Sequence, residues 1–208
     1  MKFFIDTAEI DEIKSLSELG LVDGVTTNPS LIYKSGQDFK KVIKDISSII
    51  EGPISAEVTS TDSKEMISQG EELARISNNI VVKVPLTKDG LIACKQLSSN
   101  NIKVNVTLCF SSSQALLAGK LGATYISPFI GRLDDISSVG LNLIKEIVDI
   151  YNLYSKDIKT EVLAASIRSP LQVSQVALMG AHVATIPPKI IYQMINHPLT
   201  DAGLETFM

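Results

Sequence analysis

Short apolar runs rich in β-branched residues alternate along this chain with longer stretches in which apolar residues recur every three to four positions. A run of four to six such residues suits a strand covered on both faces, and the longer stretches suit helices with one apolar stripe. The alternation therefore predicts βα units on a parallel sheet. Strands are expected at 2–6, 24–27, 54–58, 80–84, 102–106, 124–127, 160–164 and 183–186, and helices at 8–19, 38–50, 62–77, 87–99, 111–121, 137–153, 170–179 and 188–196. Local signals support these boundaries: Asp62 to Glu65 and Ser111 to Gln114 have the spacing of a capping box, Ser169-Pro170 sets a cap before a first-turn proline, and Gly20 and Gly180 stand where helices stop. The strand ends recur roughly every 26 residues, near the least that holds a strand, a helix and two loops. Eight units with no Gly-rich dinucleotide turn favour a closed (β/α)8 barrel over an open doubly wound sheet. The barrel domain is expected over 1–198. The tail 199–208 is expected to form a short helix capped by Thr200 or Asp201, presenting Leu204 and Phe207 to a neighbouring subunit.

Composition narrows the partners. A chain of 208 residues fits one domain. A net charge of −4 gives no basic footprint for nucleic acid or an anionic membrane. With 45% apolar residues and no long uncharged run, no membrane-spanning helix is expected. The start MKFFIDTAEID reaches Asp6 before a signal-peptide core could form, which points to the cytoplasm. Cys94 and Cys109 lack CxxC spacing and the only histidines are His182 and His197, so neither a zinc cluster nor a structural disulfide is expected. His182 reads as a strand residue near the lower end of the barrel, His197 as a loop residue before proline, and Cys109 as core packing.

In such a barrel the site is built at the C-terminal ends of the strands, so polar groups there matter most. Lys83 sits near the exit end of Ile80-Val81-Val82-Lys83-Val84-Pro85, otherwise wholly apolar. An ammonium in that setting must be paired or lose its proton. Two readings follow: a structural pair with a carboxylate across the barrel, or an amine nucleophile that forms a Schiff base. Asp6 and Glu57 also end strands, and could supply the proton transfers such chemistry needs. Asp6-Thr7-Ala8-Glu9 reads equally well as a helix start with Asp6 as its cap. Asn28, Asn105, Thr107 and Ser127 add neutral hydrogen-bonding groups suited to a polyhydroxylated substrate, although each alone could be a turn or cap residue. Only three arginines occur; Arg75 falls mid-helix, whereas Arg132 and Arg168 follow the sixth and seventh strands. Their guanidinium groups suit a phosphate, with Ser166 and the helix start after Ser169 beside them, or else surface ion pairs.

These residues, taken together, resemble the transaldolase family, in the short-chain subgroup that also contains fructose-6-phosphate aldolase. The matching segments run through the whole chain: Phe4-Ile5-Asp6-Thr7, Gly24-Val25-Thr26-Thr27-Asn28-Pro29-Ser30-Leu31, Val81-Val82-Lys83-Val84-Pro85, Asn105-Val106-Thr107-Leu108, Ser127-Pro128-Phe129-Ile130-Gly131-Arg132 and Ala165-Ser166-Ile167-Arg168. The resemblance implies a (β/α)8 barrel with no metal or organic cofactor and Lys83 as the Schiff-base lysine. It implies Asp6 as the acid-base group, and Glu57 and Thr107 as the groups that position water. Asn28 and Asn105 would then hold substrate hydroxyls, with Ser166, Arg132 and Arg168 at the phosphate. Fructose-6-phosphate aldolases carry Gln at the Glu57 position, Tyr at Phe129 and Leu at Asn105, so this chain has the transaldolase choice at all three. Phe129 cannot donate a proton to an enamine, which favours transfer to a second aldehyde over release of dihydroxyacetone. The resemblance also implies sugar-phosphate substrates and a homo-oligomer, a pentamer or decamer.

Overall fold

The computed structural model describes residues 1–208. In chain order the elements are β1 (Lys2–Asp6), α1 (Ile10–Glu18), β2 (Gly24–Thr26), α2 (Pro29–Ser35), α3 (Phe39–Ile49), β3 (Ile54–Glu57), α4 (Ser63–Ala74), β4 (Ile80–Pro85), α5 (Lys88–Ser99) and β5 (Val104–Cys109). They continue with α6 (Ser112–Lys120), β6 (Tyr125–Pro128), α7 (Ile130–Asp135), α8 (Gly140–Leu153), β7 (Glu161–Ala164), α9 (Pro170–Leu178), β8 (Val183–Ile186), α10 (Pro188–Ile195) and α11 (Pro198–Phe207). The strands pair in sequence order, all parallel, and β8 closes on β1, giving the (β/α)8 barrel that the alternation predicts. No helix is long and apolar enough to cross a membrane.

Alternation along each strand sends one set of side chains outward and the other into the barrel. The outward set, among them Ile5, Val25, Val82, Val84 and Ile126, joins the inner faces of the helices in one large core. Inside the barrel a small separate cluster forms from Phe4, Val81, Tyr125, Leu163, Ala165 and Val183, with the Phe4 and Tyr125 rings edge to face at 5.7 Å. Phe4 needs its space: a Cβ at Gly24 would lie 2.6 Å from the Phe4 ring and from the Pro53 carbonyl oxygen. This apolar plug closes the lower barrel, so the polar inward residues one step further along each strand gather at the upper, C-terminal end.

Four expectations need correction. The loops after β2 and β6 contain short helices. Asn28 caps α2 by accepting from the Leu31 amide, with Pro29 at the first position and Gly36 ending the turn at φ +68°. α7 has no side-chain cap and is started by tertiary backbone bonds, Ile130 N–H to Ala165 O and Gly131 N–H to Ser166 O. The tail helix begins at Pro198, capped by His197 rather than Thr200 or Asp201, because the His197 Nδ1 accepts from the Leu199 amide at 3.2 Å. Asp6 is not a helix cap either: α1 starts after Glu9, and Asp6 turns toward β2. β5 begins at Val104 and runs on to Cys109 through a register shift at which Leu108 takes φ +60°.

Candidate active site

Strand register fixes the centre of the site. Lys83 lies directly beside Glu57 on one side and Asn105 on the other. Only 6% of Lys83 is exposed; its Nζ donates to the Thr27 carbonyl oxygen at 3.0 Å and lies 3.2 Å from Glu57 Oε2. The structure contains the carboxylate pair, made with Glu57 on the neighbouring strand rather than across the barrel; a carboxylate so placed is also within reach of a proton given up by the amine.

Asp6 faces Lys83 from β1. Thr26 Oγ1 donates to Asp6 Oδ1 at 2.8 Å, and its oxygen in turn meets the Thr185 hydroxyl, so β1, β2 and β8 are tied by one short chain. Burial pushes the Asp6 carboxyl above its ordinary range, although the Lys83 charge and the Thr26 hydrogen bond pull the other way. A carboxylate that resists ionisation is a stronger base, as a group that removes a hydroxyl proton must be.

The floor opposite is neutral. Asn105 donates to Ser55 Oγ at 3.2 Å and accepts from Ser127 Oγ at 2.7 Å, which fixes its amide. Thr107 Oγ1 is buried without any partner, an unmet hydrogen-bonding group in the wall beside Lys83. A cavity of about 180 Å³ results, and of the side chains expected at the site all but Glu57 and Arg168 line it. Thr26, Thr185, Leu163 and Ala165 complete the lining, and no reading of the sequence assigned them there. Glu57 opens instead into an adjoining recess of about 400 Å³ that shares Lys83, Thr107 and Asn28 with the cavity.

The rim carries the cations. Arg132 is exposed with its guanidinium 5.1 Å from the centre of the Phe129 ring and forms no ion pair. Ser166 takes φ +58°, and a Cβ at Gly131 would meet Ser166 O at 2.4 Å, Arg168 Nε at 2.7 Å and Ser166 Oγ at 2.9 Å. Gly131 is therefore what lets the β7–α9 loop close on α7. Arg168 does not line the cavity. Its two terminal nitrogens donate to the two oxygens of Asp135, the Nη2 bond at 2.7 Å, and these bonds hold the Asp135 carboxyl below the usual range. The ion-pair alternative for this arginine is what the structure contains, because α7 carries Asp135 to it.

No group of three or more His, Cys, Asp or Glu side chains could hold a metal ion. Cys94 and Cys109 are free and buried, and burial pushes their thiols up to about 11 and about 12, so neither is a thiolate near neutral pH. His182 accepts the Val162 amide at the lower end of the barrel, far from the chemistry.

Residues 3–207 match the family described as Transaldolase/Fructose-6-phosphate aldolase. Proteins named "Probable transaldolase" from Clostridioides difficile (strain 630) and Chelativorans sp. (strain BNC1) are 59% and 58% identical over 208 residues, covering 100% of this chain and 95% of each relative. Another of that name, from Thermoanaerobacter sp. (strain X514), is 57% identical over 207 residues, with the same coverage of both chains.

Proposed function

The chain belongs to the transaldolase/fructose-6-phosphate aldolase family, and we propose that it moves a dihydroxyacetone unit between sugar phosphates through a Schiff base on Lys83. The donor is sedoheptulose 7-phosphate or fructose 6-phosphate, and the acceptor is glyceraldehyde 3-phosphate or erythrose 4-phosphate, a step of the pentose phosphate pathway in the cytoplasm. The observation that carries this reading is a single amine, Lys83, buried between Glu57 and a cavity whose opposite wall holds Asp6.

Glu57 takes the ammonium proton, and the free amine adds to the C2 carbonyl of the ketose. Loss of water leaves an iminium. Asp6 removes the proton of the C4 hydroxyl, the C3–C4 bond breaks, and its electrons flow into the iminium to give an enamine while the aldose phosphate departs. The enamine attacks the carbonyl carbon of the acceptor, Asp6 returns its proton to the new alkoxide, and water held by Glu57 and the partnerless Thr107 hydrolyses the iminium. Asn28 is suited to the substrate hydroxyls: its Oδ1 is spent on the α2 cap, leaving the amide hydrogens as donors. Asn105 and Ser127 line the same cavity. Arg132 and Ser166, both in the cavity lining, take the phosphate in this reading. Arg168 joins them only if its hold on Asp135 loosens or if the edge of its guanidinium next to Gly131 is used.

The test is borohydride reduction in the presence of fructose 6-phosphate, followed by peptide mapping. A three-carbon adduct on Lys83 is expected, and glyceraldehyde 3-phosphate should appear together with it. With no acceptor present, little free dihydroxyacetone should form; its steady release would instead make the protein an aldolase. Binding without any adduct would make it a non-catalytic sugar-phosphate barrel.

The homo-oligomer belongs to the same proposal. No residue of α11 is buried, and Leu199, Leu204 and Phe207 are all exposed, the surface expected of a helix that packs on a neighbouring copy. Deleting residues 198–208 should lower the sedimentation mass of the assembly; an unchanged mass would remove α11 from the contact.

A further inference from the structure

The recess beside Lys83 holds one cation, Lys34, that the steps above do not use. It is continuous with the catalytic cavity through Asn28, Lys83, Thr107, Phe129 and Arg132, and α2 lines it with Pro29, Ser30, Leu31 and Lys34. Glu57 is the only acid in its lining, and the Lys83 ammonium already pairs with it. Lys34 and Arg132 are left, and neither has a carboxylate within 4 Å. The other rim arginine, Arg168, is taken by Asp135.

Lys34 is exposed, but the helix that carries it is fixed. Asn28 caps its start, Ile32 is buried two residues before Lys34, and Gly36 ends it in a left-handed turn that returns its N–H to the Tyr33 carbonyl. The ammonium is thus tethered at the edge of a recess that opens on the reactive amine. Two cations with no carboxylate partner within 4 Å around one recess favour a dianion between them.

Resting on the reading of this protein as acting on sugar phosphates, we propose that Lys34 is a substrate-binding residue that, across the recess from Arg132, receives the phosphate of the aldose phosphate as it arrives or leaves. An ammonium is a point charge with rotatable donors, so Lys34 serves phosphates on aldoses of different length, while the planar Arg132 guanidinium, stacked on Phe129, holds one geometry.

The experiment measures binding of ribitol 5-phosphate, a polyol phosphate that cannot form a Schiff base, and of ribitol, to wild type, Lys34→Gln and Lys34→Arg by calorimetry. Lys34→Gln should weaken ribitol 5-phosphate binding roughly 3- to 10-fold, with the difference shrinking at high salt, and Lys34→Arg should restore most of it. Ribitol should not distinguish the variants. In turnover, the loss should fall on KM for glyceraldehyde 3-phosphate and be absent with unphosphorylated glyceraldehyde. Equal binding of ribitol 5-phosphate to wild type and Lys34→Gln would overturn the proposal whether or not the protein is catalytic. Failure to trap an adduct on Lys83 would overturn the transaldolase reading and leave the binding result standing.

Discussion

In a Lys83→Ala variant, sugar transfer should fall by roughly 10³-fold or more and no borohydride-stable adduct should form, because the positioned amine is lost and cannot be replaced from solution. No other lysine lines the cavity, and Lys34 stands at the edge of the adjoining recess. The complication is stability. Glu57 would lose the cation 3.2 Å away, and breaking a buried pair costs about 3–5 kcal/mol, less where a partner keeps contact with water. The Glu57 side chain keeps 17% exposure, so a loss toward the lower end is expected. Lys83→Ala combined with Glu57→Gln removes the stranded charge. Thermal unfolding of the double variant should recover toward the wild type while activity stays absent. Transfer activity that survives in either variant would refute Lys83 as the nucleophile, whereas loss of activity with loss of fold in the single variant alone would say nothing about chemistry, which is why the pair is needed.

Much of this site could be read along the strands. Burial on both faces gives the runs around Phe4, Val81 and Val183 their unbroken apolar character, so a lysine or carboxylate in such a run stands out. Lys83, Asp6 and Glu57 were legible for that reason, and the register sets Lys83 beside Glu57. Thr26 and Thr185 were hidden because threonine is also an ordinary strand residue, and nothing local separates a hydroxyl that supports Asp6 from a β-branched side chain chosen for the pleat. α2 and α7 escaped because they are short; α7 in particular starts on backbone bonds from β7 and the loop after it, which no window of sequence contains. The position of Arg168 followed from the same omission. Its spacing after the seventh strand was readable, but the acid that occupies its fork arrives only when α7 folds across from β6. Lys34 looked like any of the sixteen lysines until α2 set it at the recess.

Asp6→Asn should divide the reaction in two. The amide cannot take the C4 hydroxyl proton, so C3–C4 cleavage should slow by roughly 10²- to 10⁴-fold. Lys83 and Glu57 are untouched, so iminium formation should continue. Borohydride should then trap the whole six-carbon sugar phosphate on Lys83 rather than the three-carbon unit, and a three-carbon adduct formed at the wild-type rate would exclude Asp6 as the base. The pH dependence follows from the raised carboxyl. Activity needs Asp6 ionised, so the acid limb of kcat/KM should lie above the ordinary aspartate value of 3.8. Thr26→Val removes a hydrogen bond that favours the charged form, and should move that limb to still higher pH. Stability runs the opposite way. A carboxyl whose pKa is higher in the folded than in the unfolded state binds more protons when folded between the two values, so folding stability falls as pH rises through that window. Asp6→Asn abolishes this loss. At neutral pH the variant should be at least as stable as the wild type while far less active, an outcome that separates a group held ionised for catalysis from one retained for packing.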